Sequence, residues 1–91
     1  MGQYRPEEGS FEVNTSRIAV IVARWNSEVT DGLLEGAVRA LGRHGISGEA
    51  VEVYRVPGAF ELPLASQRAA RTGRFDAVIS LGCVIRGDTP H

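Results

Sequence analysis

The sequence contains no lysine: all ten of its cationic side chains are arginine, set against eleven acids for a net charge of −1. Without a basic surplus there is no field to gather nucleic acid or an anionic bilayer, so neither is expected as a partner. A single cysteine cannot form an internal disulfide, which fits a reducing compartment. No apolar run approaches the roughly 18–20 residues that a bilayer span needs. The opening Met1-Gly2-Gln3-Tyr4-Arg5-Pro6-Glu7-Glu8 has no apolar leader core, and the expected location is the cytoplasm. Metal-ligand spacing, a Walker loop and a Ser-His-Asp pattern are also missing. Gly42, Gly45 and Gly48 are wrongly spaced for a dinucleotide fingerprint and follow a helical pattern rather than a strand.

What is present suits one small globular domain, with 43% hydrophobic and 23% charged residues over 91 positions. A chain of this size buries only about 60–65% of its unfolded surface, so its core is thin. Residues 1–16 read as a polar arm, in which Phe11-Glu12-Val13 alternates and could pair with a sheet edge of a neighbouring chain. Residues 17–91 read as the domain. Ile18-Ala19-Val20-Ile21-Val22-Ala23 is continuously apolar and β-branched, the pattern of a strand covered on both faces.

From about Ser27 to His44, Val29, Leu33, Leu34, Ala37, Val38 and Leu41 advance by threes and fours and predict one helical stripe. Glu28 and Asp31 near its start and Arg39, Arg43 and His44 near its end suit the helix dipole, and Gly45 suits the left-handed position beyond. A second strand is predicted at 50–55, a second helix at 61–72 with Pro63 in its first turn, and a third strand at 77–81. Two right-handed crossovers then give a three-layer α/β domain with a parallel sheet. All strands then point the same way, so the loops after them share one carboxyl edge. Open α/β sheets bind ligands at that edge where strand order reverses, and if the first strand lies between the other two, the first and third loops flank that reversal.

Those loops carry the distinctive side chains. Trp25-Asn26 can cover the sheet end and cap the helix, or offer a stacking platform and an amide to a flat heterocycle. Glu61, beside Phe60, suits a first helical turn or can accept hydrogen bonds from ligand hydroxyls. Cys83 reads as a small side chain at a strand end, with no His or Lys beside it to activate it. His91 stands alone in composition, but Gly87-Asp88-Thr89 makes a turn and Pro90 stiffens the approach to it. Backbone N–H groups in such a turn can converge on an anion, with the imidazole placed to move protons.

Three segments together resemble the 6,7-dimethyl-8-ribityllumazine synthase family. They are Ala23-Arg24-Trp25-Asn26, Val56-Pro57-Gly58-Ala59-Phe60-Glu61-Leu62-Pro63 and Leu81-Gly82-Cys83-Val84-Ile85-Arg86-Gly87-Asp88-Thr89-Pro90-His91. The resemblance implies a flavodoxin-like subunit assembled in pentamers or icosahedral multiples of them. The reaction implied joins 5-amino-6-ribitylaminouracil to 3,4-dihydroxy-2-butanone 4-phosphate, releasing phosphate and water, with no cofactor or metal. Trp25 would stack on the pyrimidine, and Asn26, Ala59, Phe60 and Glu61 would bind it and its ribityl chain. The backbone of Cys83, Val84 and Ile85 would read the ring edge. Gly87, Asp88 and Thr89 would hold the phosphate-bearing substrate, and His91 would shuttle protons.

Asp88 departs from the longer acid or amide usual in the family, and the family continues beyond the histidine. The expectation is therefore a domain truncated after its third core strand, with its activity dependent on what is missing. A non-catalytic ligand-binding or cage-assembly fragment is the alternative. A receiver domain would need acids after the first strand, where Ala23-Arg24-Trp25 stands, and a flavodoxin would need a phosphate loop richer in hydroxyls.

Overall fold

A computed structural model describes residues 16–86. The elements are β1 (Ile18–Ala23), α1 (Ser27–Arg43), β2 (Val51–Val56), α2 (Leu62–Arg71) and β3 (Ala77–Leu81), with short 3₁₀ turns at Gly48–Ala50 and Ala59–Glu61. The strands form one parallel sheet in the order β2-β1-β3, in which Ile18 stands level with Val51 and with Ala77. The first strand is thus central, and all six residues of its unbroken apolar run are buried. Fully burying an Ile or Val side chain contributes on the order of 1.5–3 kcal/mol, so β1 is the chief source of stability.

Alternation along β1 divides the core in two. Ile18, Val20 and Val22 meet Leu34 and Leu41 of α1, with Ile46, Val51, Ile79 and Leu81 around them. Ala19 and Ile21 meet Ala65 and Ala69 of α2, together with Val56, Leu62, Phe75 and Val78. The expected helix–sheet–helix layering is therefore present, although β2 and β3 are only half covered.

The helical stripe differs in its aim. Leu34 and Leu41 face the sheet, but Val29 and Leu33 remain 45% and 41% exposed, and the fully buried residue of α1 is Thr30. Its hydroxyl donates to the Asn26 carbonyl at 3.3 Å, so the polar group is satisfied where it is buried.

The end of α1 follows from its sequence. Gly45 adopts φ 87°, its N–H donates to the Gly42 carbonyl, and the Ile46 N–H donates to the Leu41 carbonyl. These two bonds make a Schellman closure and bring Ile46 back into the core beside Leu41. Gly73, at φ 72°, serves the corresponding turn after α2. The second helix begins differently from expectation, because residues 59–61 form a 3₁₀ turn before the α-helix starts at Leu62. β2 lies one residue later than expected.

Candidate active site at the carboxyl edge

The three expected loops lie side by side. After β1 the ladder continues into the first loop: the Arg24 N–H donates to the Val56 carbonyl at 2.8 Å, and the Trp25 N–H to the Pro57 carbonyl at 3.1 Å. This fixes the first loop against the second. The third loop packs on the second through Gly82, whose backbone lies against Ala59 and Leu62.

Asn26 occupies the left-handed region at φ 62° and ψ 54°. This conformation is rare outside glycine, and Asn tolerates it better than most residues. It lets the chain turn sharply from β1 into α1, so that the Asn26 carbonyl accepts from the N–H groups of Val29 and Thr30 at 3.0 Å each. The side chain does not cap the helix, contrary to the structural reading of this residue. Its Nδ2 is enclosed and has no hydrogen-bond partner among the described residues. An enclosed amide donor without a partner costs roughly 1–3 kcal/mol.

Trp25 is 69% exposed, so it does not close off the sheet end, and its ring remains open to a stacking partner. Trp25, Asn26 and Ile85 border one cleft of about 450 Å³, together with Arg24, Glu28 and Val29. The first turn of α1 thus opens beside the cleft, where its dipole favours electron-rich atoms.

The second loop is braced internally. The Gly58 N–H donates to Glu61 Oε1 at 2.7 Å, and the Glu61 N–H donates to the Gly58 carbonyl at 3.2 Å. One carboxylate oxygen holds the turn while the exposed side chain retains capacity for another donor. Ala59 is half-buried, and Phe60 projects from the turn with 97% of its surface exposed. In the third loop Cys83 is half-buried, whereas Val84 and Ile85 are exposed.

The structure therefore gathers Trp25, Asn26 and Ile85 around one cleft. Ala59, Phe60, Glu61, Cys83 and Val84 stand on the adjoining loops and do not line it. Gly87, Asp88, Thr89 and His91 lie outside the described residues. Arg24, Glu28 and Val29 were not singled out as site residues; their signal was adjacency to Trp25-Asn26 at a helix start. A second hollow, of about 300 Å³, lies under α2 between Tyr54, Phe75 and Ala69, and none of the expected site residues lines it. No group of three or more metal-ligating side chains occurs among the described residues.

The model of the 6,7-dimethyl-8-ribityllumazine synthase family matches residues 15–91. The chain belongs to the lumazine synthase family. It is 50% identical over 84 residues to the 6,7-dimethyl-8-ribityllumazine synthases of Xanthomonas euvesicatoria pv. vesicatoria (strain 85-10) and Xanthomonas axonopodis pv. citri (strain 306). The aligned region covers 92% of this chain but 54% of each relative, so the chain spans about half the length of the curated lumazine synthases it matches. All three loops at the carboxyl edge fall inside the matched span. Among the described residues, no helix is long and apolar enough to cross a membrane.

Proposed function

We propose that this chain supplies the heterocycle-binding part of a lumazine synthase acting in riboflavin biosynthesis. The observation that carries the reading is the cleft, in which the open indole of Trp25, Asn26 and Ile85 border one space. Trp25 stacks on the pyrimidine of 5-amino-6-ribitylaminouracil, and Asn26 donates to a ring acceptor. The Cys83–Ile85 backbone meets the polar ring edge, while Ala59, Phe60 and Glu61 flank the ribityl chain, with Glu61 accepting from its hydroxyls. Gly87, Asp88 and Thr89 hold 3,4-dihydroxy-2-butanone 4-phosphate.

His91 moves the protons of imine formation, phosphate loss and ring closure. Imidazole titrates near neutral pH, and a positioned acid–base group contributes about 10²–10⁴ in rate. Proton transfer at carbon and nitrogen suffices for these steps, so the reading includes no cofactor or metal. It places the protein in the cytoplasm as a homo-oligomer, a pentamer or a multiple of one. A second reading is a ligand-binding or cage-assembly fragment without turnover.

Trp25 is the chain's only tryptophan, so its fluorescence reports on the cleft directly. Titration with a 6-ribitylaminouracil should quench it saturably. Trp25→Ala should weaken the binding measured by calorimetry by about 1–3 kcal/mol, the usual worth of a base–aromatic stack. Incubation with both substrates then separates the two readings. Lumazine formation supports the synthase, binding without product supports the fragment, and absence of binding rejects both.

A further inference from the structure

Gly82 follows β3 directly, and it is constrained by space rather than by backbone angle. A methyl group built on it would lie 2.6 Å from Leu62 Cδ1 and 3.4 Å from Ala59 Cβ, while its φ lies outside the left-handed region. Gly32, Gly36, Gly42 and Gly48, by contrast, have no neighbour within 4 Å of such a methyl. Leu62 is half-buried and packs against the cluster of Ala19, Ile21 and Ala69, so turning its end away gives up that packing. A side chain at position 82 would therefore push the third loop away from the second.

The second loop responds as a unit. Leu62 follows Glu61 directly, and Glu61 is bonded to Gly58 through both its carboxylate and its N–H. Movement at Leu62 or Ala59 therefore carries the carboxylate with it. On the other side, Gly82 adjoins the Cys83–Ile85 segment, whose Ile85 borders the cleft.

We infer that Gly82 is a positioning residue that sets the separation between ring and polyol subsites, and so selects the length of the link joining heterocycle to hydroxylated chain. This rests on the functional reading above, in which Cys83–Ile85 meets the ring and Glu61 the ribityl hydroxyls. Close approach at Gly82 keeps the two subsites within reach of one short, directly attached polyol. Widening the gap by a methyl group leaves ring binding intact and misplaces only the hydroxyl acceptor.

The test compares two probes, a 6-ribitylaminouracil and the same aminouracil lacking its ribityl group, on the 91-residue chain, Gly82→Ala, Leu62→Val and the double variant. Leu62→Val removes the atom that the new methyl would strike. Gly82→Ala should bind the ribityl probe roughly tenfold or more weakly, the scale of one misplaced methylene in a pocket. The ring-only probe should bind as in the parent, and Gly82→Ala/Leu62→Val should recover most of the loss. Amide exchange at Gly58 should accelerate in Gly82→Ala and return toward the parent in the double variant, while β1 amides stay protected.

Equal loss for both probes, no loss for either, or failure of Leu62→Val to restore selectivity overturns the inference. If Gly82→Ala does not fold, the double variant decides: parental selectivity supports the steric account, and altered selectivity overturns it. A parent that binds neither probe rejects the functional reading itself. A parent that binds both, with an indifferent Gly82→Ala, rejects the spacing role alone.

Discussion

The two ends of the sheet satisfy their polar groups in opposite ways. At the amino edge Glu52 accepts from Arg17 at 2.5 Å, from Arg74 at 2.9 Å and from the Tyr54 hydroxyl. There the Arg17 N–H also donates to Asp76 Oδ2 at 2.8 Å, and the Asp76 N–H returns a bond to the Arg17 carbonyl at 2.7 Å. Phe75 meets Tyr54 edge-on and lies under the Arg74 guanidinium. These contacts tie the starts of β1 and β3 to β2.

At the carboxyl edge the enclosed Asn26 Nδ2 lacks a partner among the described residues, Asn26 is held in a left-handed conformation, and two large rings stand in solvent. Local rules are obeyed at one end and broken at the other. Such a split is expected when one end holds the fold and the other awaits a ligand.

The sharpest way to break this comparison is to remove the support common to both ends. Ile21 is 1% exposed at the centre of β1, so Ile21→Ala should cost about 2–5 kcal/mol. With total stability for native domains of about 5–15 kcal/mol, and outer strands here only half covered, a large part of the margin would be lost. Urea unfolding followed by circular dichroism measures this, and a change below about 1 kcal/mol would show that the central strand does not dominate.

Asn26→Gly sharpens the comparison from the other end. Glycine adopts the same left-handed angles without a Cβ and removes the enclosed amide, so stability should hold or rise by up to about 2 kcal/mol, the relief of the unpartnered donor less the added chain entropy of glycine. Affinity for a ribitylaminouracil should nevertheless fall by about 1–3 kcal/mol, the cost of a lost enclosed hydrogen bond. Large destabilisation with unchanged binding would make Asn26 a structural residue.

Much of this arrangement was legible before any coordinates. The β1 run had to be covered on both faces, as a continuous apolar segment in a parallel sheet is, and the shared direction of the strands then put the loops at one rim. Gly45 marked a helix end because few other residues adopt positive φ there. The orientation of α1 was not legible: periodicity marks a stripe but does not reveal that Thr30 satisfies its own hydroxyl and takes the innermost position. Which of its two roles Asn26 takes was not legible for a related reason. Sequence favours Asn as a side-chain cap, whereas here its backbone carbonyl does that work and the amide is left over. The steric role of Gly82 was invisible as well, since it depends on Leu62, twenty residues away in sequence, arriving through the fold.

The smallest expected effect concerns the amino edge and has a definite sign. Hydrogen bonds from the Tyr54 hydroxyl and then the Arg17 guanidinium, with the Arg74 charge adding to them, favour the Glu52 carboxylate and hold its pKa below the ordinary value of 4.5. A carboxyl group with a depressed folded-state pKa binds fewer protons folded than unfolded, so its contribution is complete above the ordinary value and drains away as pH falls through the folded one. Glu52→Gln should therefore unfold at lower urea than the parent between about pH 5 and 8, and the gap should close as the pH is taken below 4.5. Subtracting the variant's profile from the parent's removes the other acids, which titrate in both. Because these side chains sit at the surface, added salt should also shrink the gap at neutral pH. A gap that widens on acidification would mean that the network favours protonated Glu52, and the amino edge could then no longer be called the satisfied end of the sheet.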